Sequence, residues 1–240
     1  MGKEIFEKII LLGRPASGKS EIINFLKHQD ANTLRTRFHI GDIIEIDDFP
    51  MLWTWFEEDD IIEKVFNKPR LHSTPDGLFK EEYLWHLLIE RISLDYKKFK
   101  RDNAEKNNDI TYLIEFSRGT EHGGYKEAFK HLSKELLENS AILYVDVPFE
   151  ESLRKNRKRF NPDKPDSILE HGLPDWKLEK LYKEVDFHEV VKNDPEFVII
   201  NDVKVPYVIF NNMPSKTDDF ELLAPALNDV ISKLWELYNK

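Results

Sequence analysis

Two glycines, a lysine and a serine define the first chemistry this chain offers: Gly13-Arg14-Pro15-Ala16-Ser17-Gly18-Lys19-Ser20 fits the pattern G-x-x-x-x-G-K-[ST]. The glycines let such a loop curl tightly, its N–H groups converge on one point, and the helix that follows aims its positive end there. That arrangement binds phosphate oxygens. Gly13, Arg14, Pro15, Ala16, Ser17, Gly18, Lys19 and Ser20 are therefore the expected binding residues for ATP. Lys19 is expected to be exposed in the loop and to reach the β- and γ-phosphates as a catalytic residue. Ser20 would offer its hydroxyl to Mg²⁺. The plain alternative is a glycine-rich turn without a ligand. Context favours the binding loop, because Ile9-Ile10-Leu11-Leu12 reads as a buried strand before it and Ile22, Ile23, Phe25 and Leu26 as the helix it opens.

Phosphoryl transfer also requires a group to deprotonate or orient the nucleophile, and positive charge around the transferred group. Asp47 is the expected base, since Ile43-Ile44-Glu45-Ile46 delivers it to a strand end with no neighbouring cation in sequence. Asp48 has two readings, a substrate contact or a helix N-cap ahead of Pro50. Glu115 closes a third strand and precedes Ser117-Arg118-Gly119. Glu115 is expected to hold Mg²⁺ through water or to align the substrate, and Arg118 to grip a phosphate or sugar hydroxyl; a surface Glu–Arg pair is the alternative. Arg154, Lys155, Arg157, Lys158 and Arg159 crowd basic charge together. Arg154 and Arg157 are expected to act catalytically from a lid, with Arg159 beside them, against the alternative of a solvated basic face. Trp53, Trp55 and Phe56 would wall a flat ring or pack in the core, and Arg70 and His72 would meet the acceptor or solvent. The eight histidines show no ligand spacing such as H-E-x-x-H and are expected to be structural.

The elements that must position these groups alternate. Strands are expected at Ile9 to Leu12, in a region from Phe38 to Ile46, at Ile110 to Phe116, Ala141 to Val147, Phe197 to Ile200 and Val205 to Phe210. Helices are expected at 21–27, about 50–66, 79–102, 124–138, 148–159, 175–185 and 218–238, with a proline-rich mobile cap over 160–190. Strand-then-helix order implies an α/β fold with a mainly parallel sheet covered on both faces and a ligand beyond the strand C-termini.

Composition narrows the partners. The 240 residues are 40% hydrophobic, enough for one sizeable core, and are expected to form a single domain over 1–240 with a lid at about 154–190. A formal charge of −10 makes nucleic acid an unlikely partner and a small molecule the expected one. With no cysteine there is neither a disulfide framework nor a thiolate site, and no apolar run approaches membrane-span length. A cytoplasmic protein without a membrane partner is expected.

Several segments resemble known enzymes. Gly13 to Ser20 resembles the phosphate loop of P-loop kinases, and Ile46-Asp47-Asp48-Phe49 resembles the D-x-F segment of uridine-kinase-like and nicotinamide-riboside-kinase-like enzymes. In those the first Asp is the base; here Pro50 stands where a tyrosine or histidine often follows. Val145-Asp146-Val147-Pro148-Phe149-Glu150-Glu151-Ser152-Leu153-Arg154 resembles the strand-to-lid passage of gluconate and adenylate kinases. Val208-Ile209-Phe210-Asn211-Asn212 resembles the last strand and adenine-side loop of dephospho-coenzyme A kinase. The resemblance implies a P-loop NTPase three-layer α/β/α fold with a helical lid, and Asn211 to Pro214 beside the adenine. It also implies ATP–Mg²⁺-dependent phosphotransfer to a small acceptor, a nucleoside or nucleotide before other hydroxyl-bearing metabolites. A nucleotide-binding regulatory or hydrolytic switch with a protein partner is the competing class, and the chain lacks the N-K-x-D segment that a guanine-reading switch uses.

Overall fold

Strand β1 (Lys8–Gly13) is apolar on both sides of its pleat: Ile10 and Leu12 enter one cluster of buried side chains, Ile9 and Leu11 another. Strand β4 (Ser140–Asp146) does the same, with Ile142 and Tyr144 against Ala141, Leu143 and Val145. Strands of this kind are stable only where helices cover both faces of the sheet. The computed structural model describes residues 4–159 and 172–240 and shows such an α/β domain. Its six-stranded sheet runs in the order β2-β3-β1-β4-β6-β5, where β2 is Asp42–Asp47, β3 Ile110–Phe116, β5 Phe197–Ile200 and β6 Val203–Asn211. All neighbouring pairs are parallel except the antiparallel β5–β6 pair.

One face is covered by α1 (Lys19–Lys27), α2 (Ala31–Phe38) and α10 (Phe220–Tyr238). The other is covered by α4 (Tyr83–Asp102), α5 (Gly124–Ala128), α6 (Lys134–Leu137) and α9 (Phe187–Val190). A third apolar cluster lies off the sheet, where α3 (Phe49–Lys64), α7 (Phe149–Arg159) and α8 (Asp175–Tyr182) meet Trp85 and Leu88 of α4. Leu178 and Leu181 bury α8 in that cluster. Of the expected cap over 160–190, residues 160–171 lie outside the described residues. No helix among the described residues is long and apolar enough to cross a membrane.

Three expectations need correction. The strand region expected from Phe38 begins only at Asp42, and Phe38 ends the unforeseen helix α2: the Asp30 carboxylate caps it by accepting from Thr33 N at 3.0 Å, and Leu34 and Phe38, one turn apart, face the core. The helix expected over 124–138 is interrupted, because Leu132 is extended and Ser133 starts α6 by capping Leu136 N. The helix expected from 79 begins at Tyr83.

The sheet order decides where a ligand can sit. β1 and β3 are neighbours, and the connections leaving their C-terminal ends part to opposite faces of the sheet, to α1 and to α5, and open a crevice there. Gly13 ends β1 at this crevice, and the fully buried Tyr125 of α5 grips it twice. The Tyr125 hydroxyl accepts from Gly13 N at 3.0 Å and donates to Gly13 O at 3.1 Å. Tyr125→Phe keeps the ring and strands the Gly13 N–H in the core. A loss of about 1–3 kcal/mol in urea unfolding is expected, with far-UV circular dichroism unchanged.

Candidate functional site

The Gly13–Ser20 loop is held by its carbonyls. Gly13 O meets Tyr125 and Lys19, Arg14 O accepts from Ser17 N and Lys19, Pro15 O from Ser152 Oγ at 2.7 Å, and Ser17 O from Asn212 Nδ2 at 2.8 Å. Its amides are treated differently. Gly18 occupies the N-cap of α1 without a capping side chain, and among the described residues the N–H groups of Ala16, Gly18, Lys19 and Ser20 meet no protein acceptor. A loop tied by its carbonyls and open at its amides, on the positive end of a helix, receives an anion.

The two motif glycines are required by this construction. Both have positive φ, 150° at Gly13 and 115° at Gly18. A Cβ on Gly13 would lie 2.6 Å from Val145 O, and one on Gly18 would lie 2.7 Å from Thr217 Oγ1.

Lys19 differs from its expected exposure. It is 4% exposed and folds back over the loop, donating to Gly13 O, Arg14 O and, at 2.9 Å, Ser117 Oγ, with Glu115 at 3.7 Å. Register explains the neighbours: Glu115 pairs with Leu11 of β1 on one side and with Asp47 of β2 on the other. In a parallel sheet, residues in register share a face, so Asp47 and Glu115 stand side by side at the strand ends facing α1. The crowding of protein around the cleft raises the Asp47 carboxyl to about 8, with Glu115 and then Asp48 adding repulsion. Burial raises Glu115 as well, opposed by Lys19 and Arg159. Ser20 lies exposed on the same cleft.

Asp47 and Asp48 diverge sharply. Asp47 is exposed to the cleft, and one oxygen accepts from Phe49 N at 3.0 Å, so the capping interaction expected of Asp48 belongs to Asp47. Asp48 is buried and forms an ion pair with Arg118 at 2.6 Å. Arg118 is 2% exposed, donates to Ser117 O and Trp85 O, and lies over the Trp85 ring. The Glu115–Arg118 surface pair is therefore absent, and Arg118 Nε is buried without a partner.

The cavity has a volume of about 550 Å³ and extends from the loop past Asp47 to a wall built on α3. Trp53 and Phe56 line it, together with Phe49 and Trp85, whereas Trp55 packs off the cleft and stacks on His72. Arg70 lines the far end but is tied to Asp60 at 2.6 Å and Glu63 at 3.0 Å. The loop that carries it is fixed by the buried Asp59, which accepts from the amides of Leu71, His72 and Ser73 and from Ser73 Oγ. Burial alone would raise Asp59, but these hydrogen bonds outweigh it and hold the carboxyl at about 2.

Five expected site residues do not face the cleft with their side chains, the first being Ser17, which is fully buried beneath the loop. Arg154 pairs with Glu151 and Asp218, and Arg157 with Asp175 at 2.6 Å, both exposed. The inward stripe of α7 is Ser152, Lys155, Asn156 and Arg159, spaced i, i+3, i+4 and i+7. Asn156 and Arg159 line the cavity, and Lys155 donates to Thr217 Oγ1 at 2.6 Å. Asn211 is exposed and its oxygen accepts from Met213 N, while its neighbour Asn212 is fully buried and braces Ser17 and Thr217. The Arg14 guanidinium turns away from the loop to the carbonyls of Val147, Tyr182 and Lys183. Sequence reading gave Ser117, Tyr125 and Thr217 no role at the loop and placed Asn212 only within the Asn211 to Pro214 stretch beside the adenine; packing of separate elements brings all four to the loop.

No family model matches the chain, and no curated protein matches it. Among solved structures the chain is similar to one described as the crystal structure of APE1195, at 15% identity over 97% of each chain, with a TM-score of 0.43. It is also similar to the crystal structure of TT1252 from Thermus thermophilus, at 13% identity over 92% of this chain and 95% of that one, with a TM-score of 0.41. At these values neither likeness bears on what the site does.

The raised Asp47 carboxyl links stability to pH. Its contribution is complete below the ordinary value of 3.8 and is lost as pH rises through about 8. Asp47→Asn removes that loss. The variant is expected to match the parent near pH 4 and to exceed it at pH 8.5 by about 1 kcal/mol, a figure reduced for water in the cleft. Denaturant unfolding at the two pH values checks this, and a variant less stable at both would overturn the assigned crowding.

Proposed function

We propose that the protein is an ATP–Mg²⁺-dependent phosphotransferase of the P-loop kinase type acting on a small hydroxyl-bearing acceptor, with a nucleoside or nucleotide favoured. The observation that carries this reading is the loop with tied carbonyls and open amides, facing the Asp47–Glu115 pair across Lys19. An anion on those amides competes for Lys19, whose present acceptors are two carbonyls and a hydroxyl, weaker partners for an ammonium than phosphate oxygens.

The donor set suits Mg²⁺: Ser20 Oγ and Glu115 supply hard oxygens, and a divalent cation would offset the burial that raises both carboxyls. Held by Ser20 and Glu115, the ion would supply positive charge against the negative charge that develops in transfer. Asp47 reaches the cleft on the acceptor side and would take the hydroxyl proton in its ionised form, which the raised pKa makes a stronger base than an ordinary carboxylate. Asp48 acts on the acceptor through Arg118, holding the guanidinium at the cleft with Nε left to donate. Phe49, Trp53, Phe56 and Trp85 form an aromatic wall suited to a flat ring. Arg70 and Arg118 near this wall are already paired to carboxylates, and Lys177 of α8 also lines the cavity beside Phe56. Asn156 and Arg159 replace Arg154 and Arg157 as the α7 residues that face the bound triphosphate.

The acceptor is identified by screening nucleosides, nucleotides, sugars and vitamins for acceptor-dependent ADP release. With that acceptor, Lys19→Ala is expected to lower turnover at least ~10²-fold, as removal of a transition-state charge contact does. Asp47→Asn is expected to lower kcat by a similar factor while ATP binding changes little, and Asp48→Asn to do less. Undiminished turnover in Lys19→Ala, or a silent Asp47→Asn beside a damaging Asp48→Asn, would overturn the assignment.

A further inference from the structure

Away from the cleft, two imidazoles and a carboxylate meet across the seam between α4 and α5. His86 belongs to α4 and Glu127 to α5, and His131 ends the 3₁₀ turn Phe129–His131 that continues α5. One ligand atom from each lies within 4.8 Å of those of the other two. We propose that His86, Glu127 and His131 form a binding site for a divalent transition-metal ion of the zinc type, oriented from outside by Glu90.

The spacing within each element supports a shared centre. Glu90 follows His86 by one helical turn, and His131 follows Glu127 by four residues, so each side of the seam presents one histidine and one glutamate toward the other. His131 Nδ1 lies 3.0 Å from Glu90 Oε1. Donation of that N–H fixes the tautomer with the Nε2 lone pair free, the carboxylate–histidine arrangement that orients metal ligands. The backbone beneath is already rigid. Asn201 Nδ2 donates to the carbonyls of Phe129, Lys130 and Leu132, and the Asp186 carboxylate accepts from the amides of Tyr125 and Lys126 at the start of α5.

The rings of His86 and His131 stack at 4.6 Å and 9°, so their lone pairs lie in nearly parallel planes. A tetrahedral ion about 2.0–2.1 Å from each ligand brings ligand atoms to about 3.3 Å of one another, so one ring must turn about its Cβ–Cγ bond as the ion enters. Both histidines are partly exposed and have room to turn. Glu127 must leave its pair with Lys130, an exposed i, i+3 contact of little energetic weight. Two imidazoles and one carboxylate select zinc, cobalt, nickel or copper over magnesium, and a fourth position stays open to water. This inference is independent of the phosphotransfer reading, since none of the four residues lines the cleft.

The test uses the full chain, tag-free and stripped with EDTA. Titration with Co²⁺ is expected to give the visible absorption of a tetrahedral N/O site, and Zn²⁺ to bind with one equivalent and raise Tm by several degrees. Excess Mg²⁺ should leave both readouts in place. His86→Ala and His131→Ala should abolish the absorption and the Tm shift while their metal-free Tm stays close to the parent's. Glu90→Gln should keep the absorption and weaken affinity ~10-fold. No absorption and no Tm shift in the parent would overturn the proposal, as would undiminished binding in the two histidine variants, which places the ion elsewhere.

Discussion

The orientation of one loop governs this structure, and it is set by donors that claim carbonyl oxygens. Tyr125 from beneath, Ser152 from α7 and Asn212 from the end of β6 each take an oxygen of the Gly13–Ser20 segment. A peptide plane whose oxygen is fixed has its N–H fixed in the opposite sense. Ser152 and Asn212 thus orient the amides of Ala16 and Gly18 toward the cleft, and the first turn of α1, where Gly18 O accepts from Ile22 N, orients those of Lys19 and Ser20. The glycines permit this conformation, and the surrounding donors select it.

The cleft itself is electrostatically unsettled, in contrast to its surroundings. Asp59 shows how the chain keeps a carboxylate ionised, with four hydrogen bonds, and Asp48 is met by a buried guanidinium. Asp47 and Glu115 receive no comparable support, and both are pushed toward the protonated form. Carboxylates left in this condition are destabilising unless a cation or a proton transfer uses them, and perturbed pairs of this kind mark sites of chemistry.

An overall charge of −10 conceals how the cations are distributed. Arg14, Lys19, Arg118 and Lys155 surround the loop and are all committed to carbonyls, hydroxyls or carboxylates of the protein itself. Arg154 and Arg157, prominent in the sequence, lie on the solvent side of α7 in exposed pairs of little energetic weight. The cations nearest the cleft thus serve mainly to shape it.

Local chemistry was legible from residue order. The glycine pattern, the apolar strands on either side of Gly13, the delivery of Asp47 to a strand end and the placement of Glu115 at the end of β3 all follow from spacings of a few residues, where covalent geometry and side-chain period dictate the outcome. α2 was legible in principle, through the Asp30 cap and the Leu34–Phe38 spacing, and was obscured by the apolar run that continues through Ile40. What tertiary structure alone decided was partnership. Which face of α7 turns inward depends on where α8 and the Thr217 loop pack, so Lys155 and Asn156 displaced Arg154 and Arg157. Asn212 displaced Asn211 because the end of β6 sits beside β4 in the sheet. Asp48 joined Arg118 because β2 and β3 are neighbours, and His86 met His131 because α4 crosses α5. Sequence determined which groups were available and which short segments could hold them. The strand order decided which of them touch, because contact across the sheet is set by packing of whole faces and leaves no trace in local spacing.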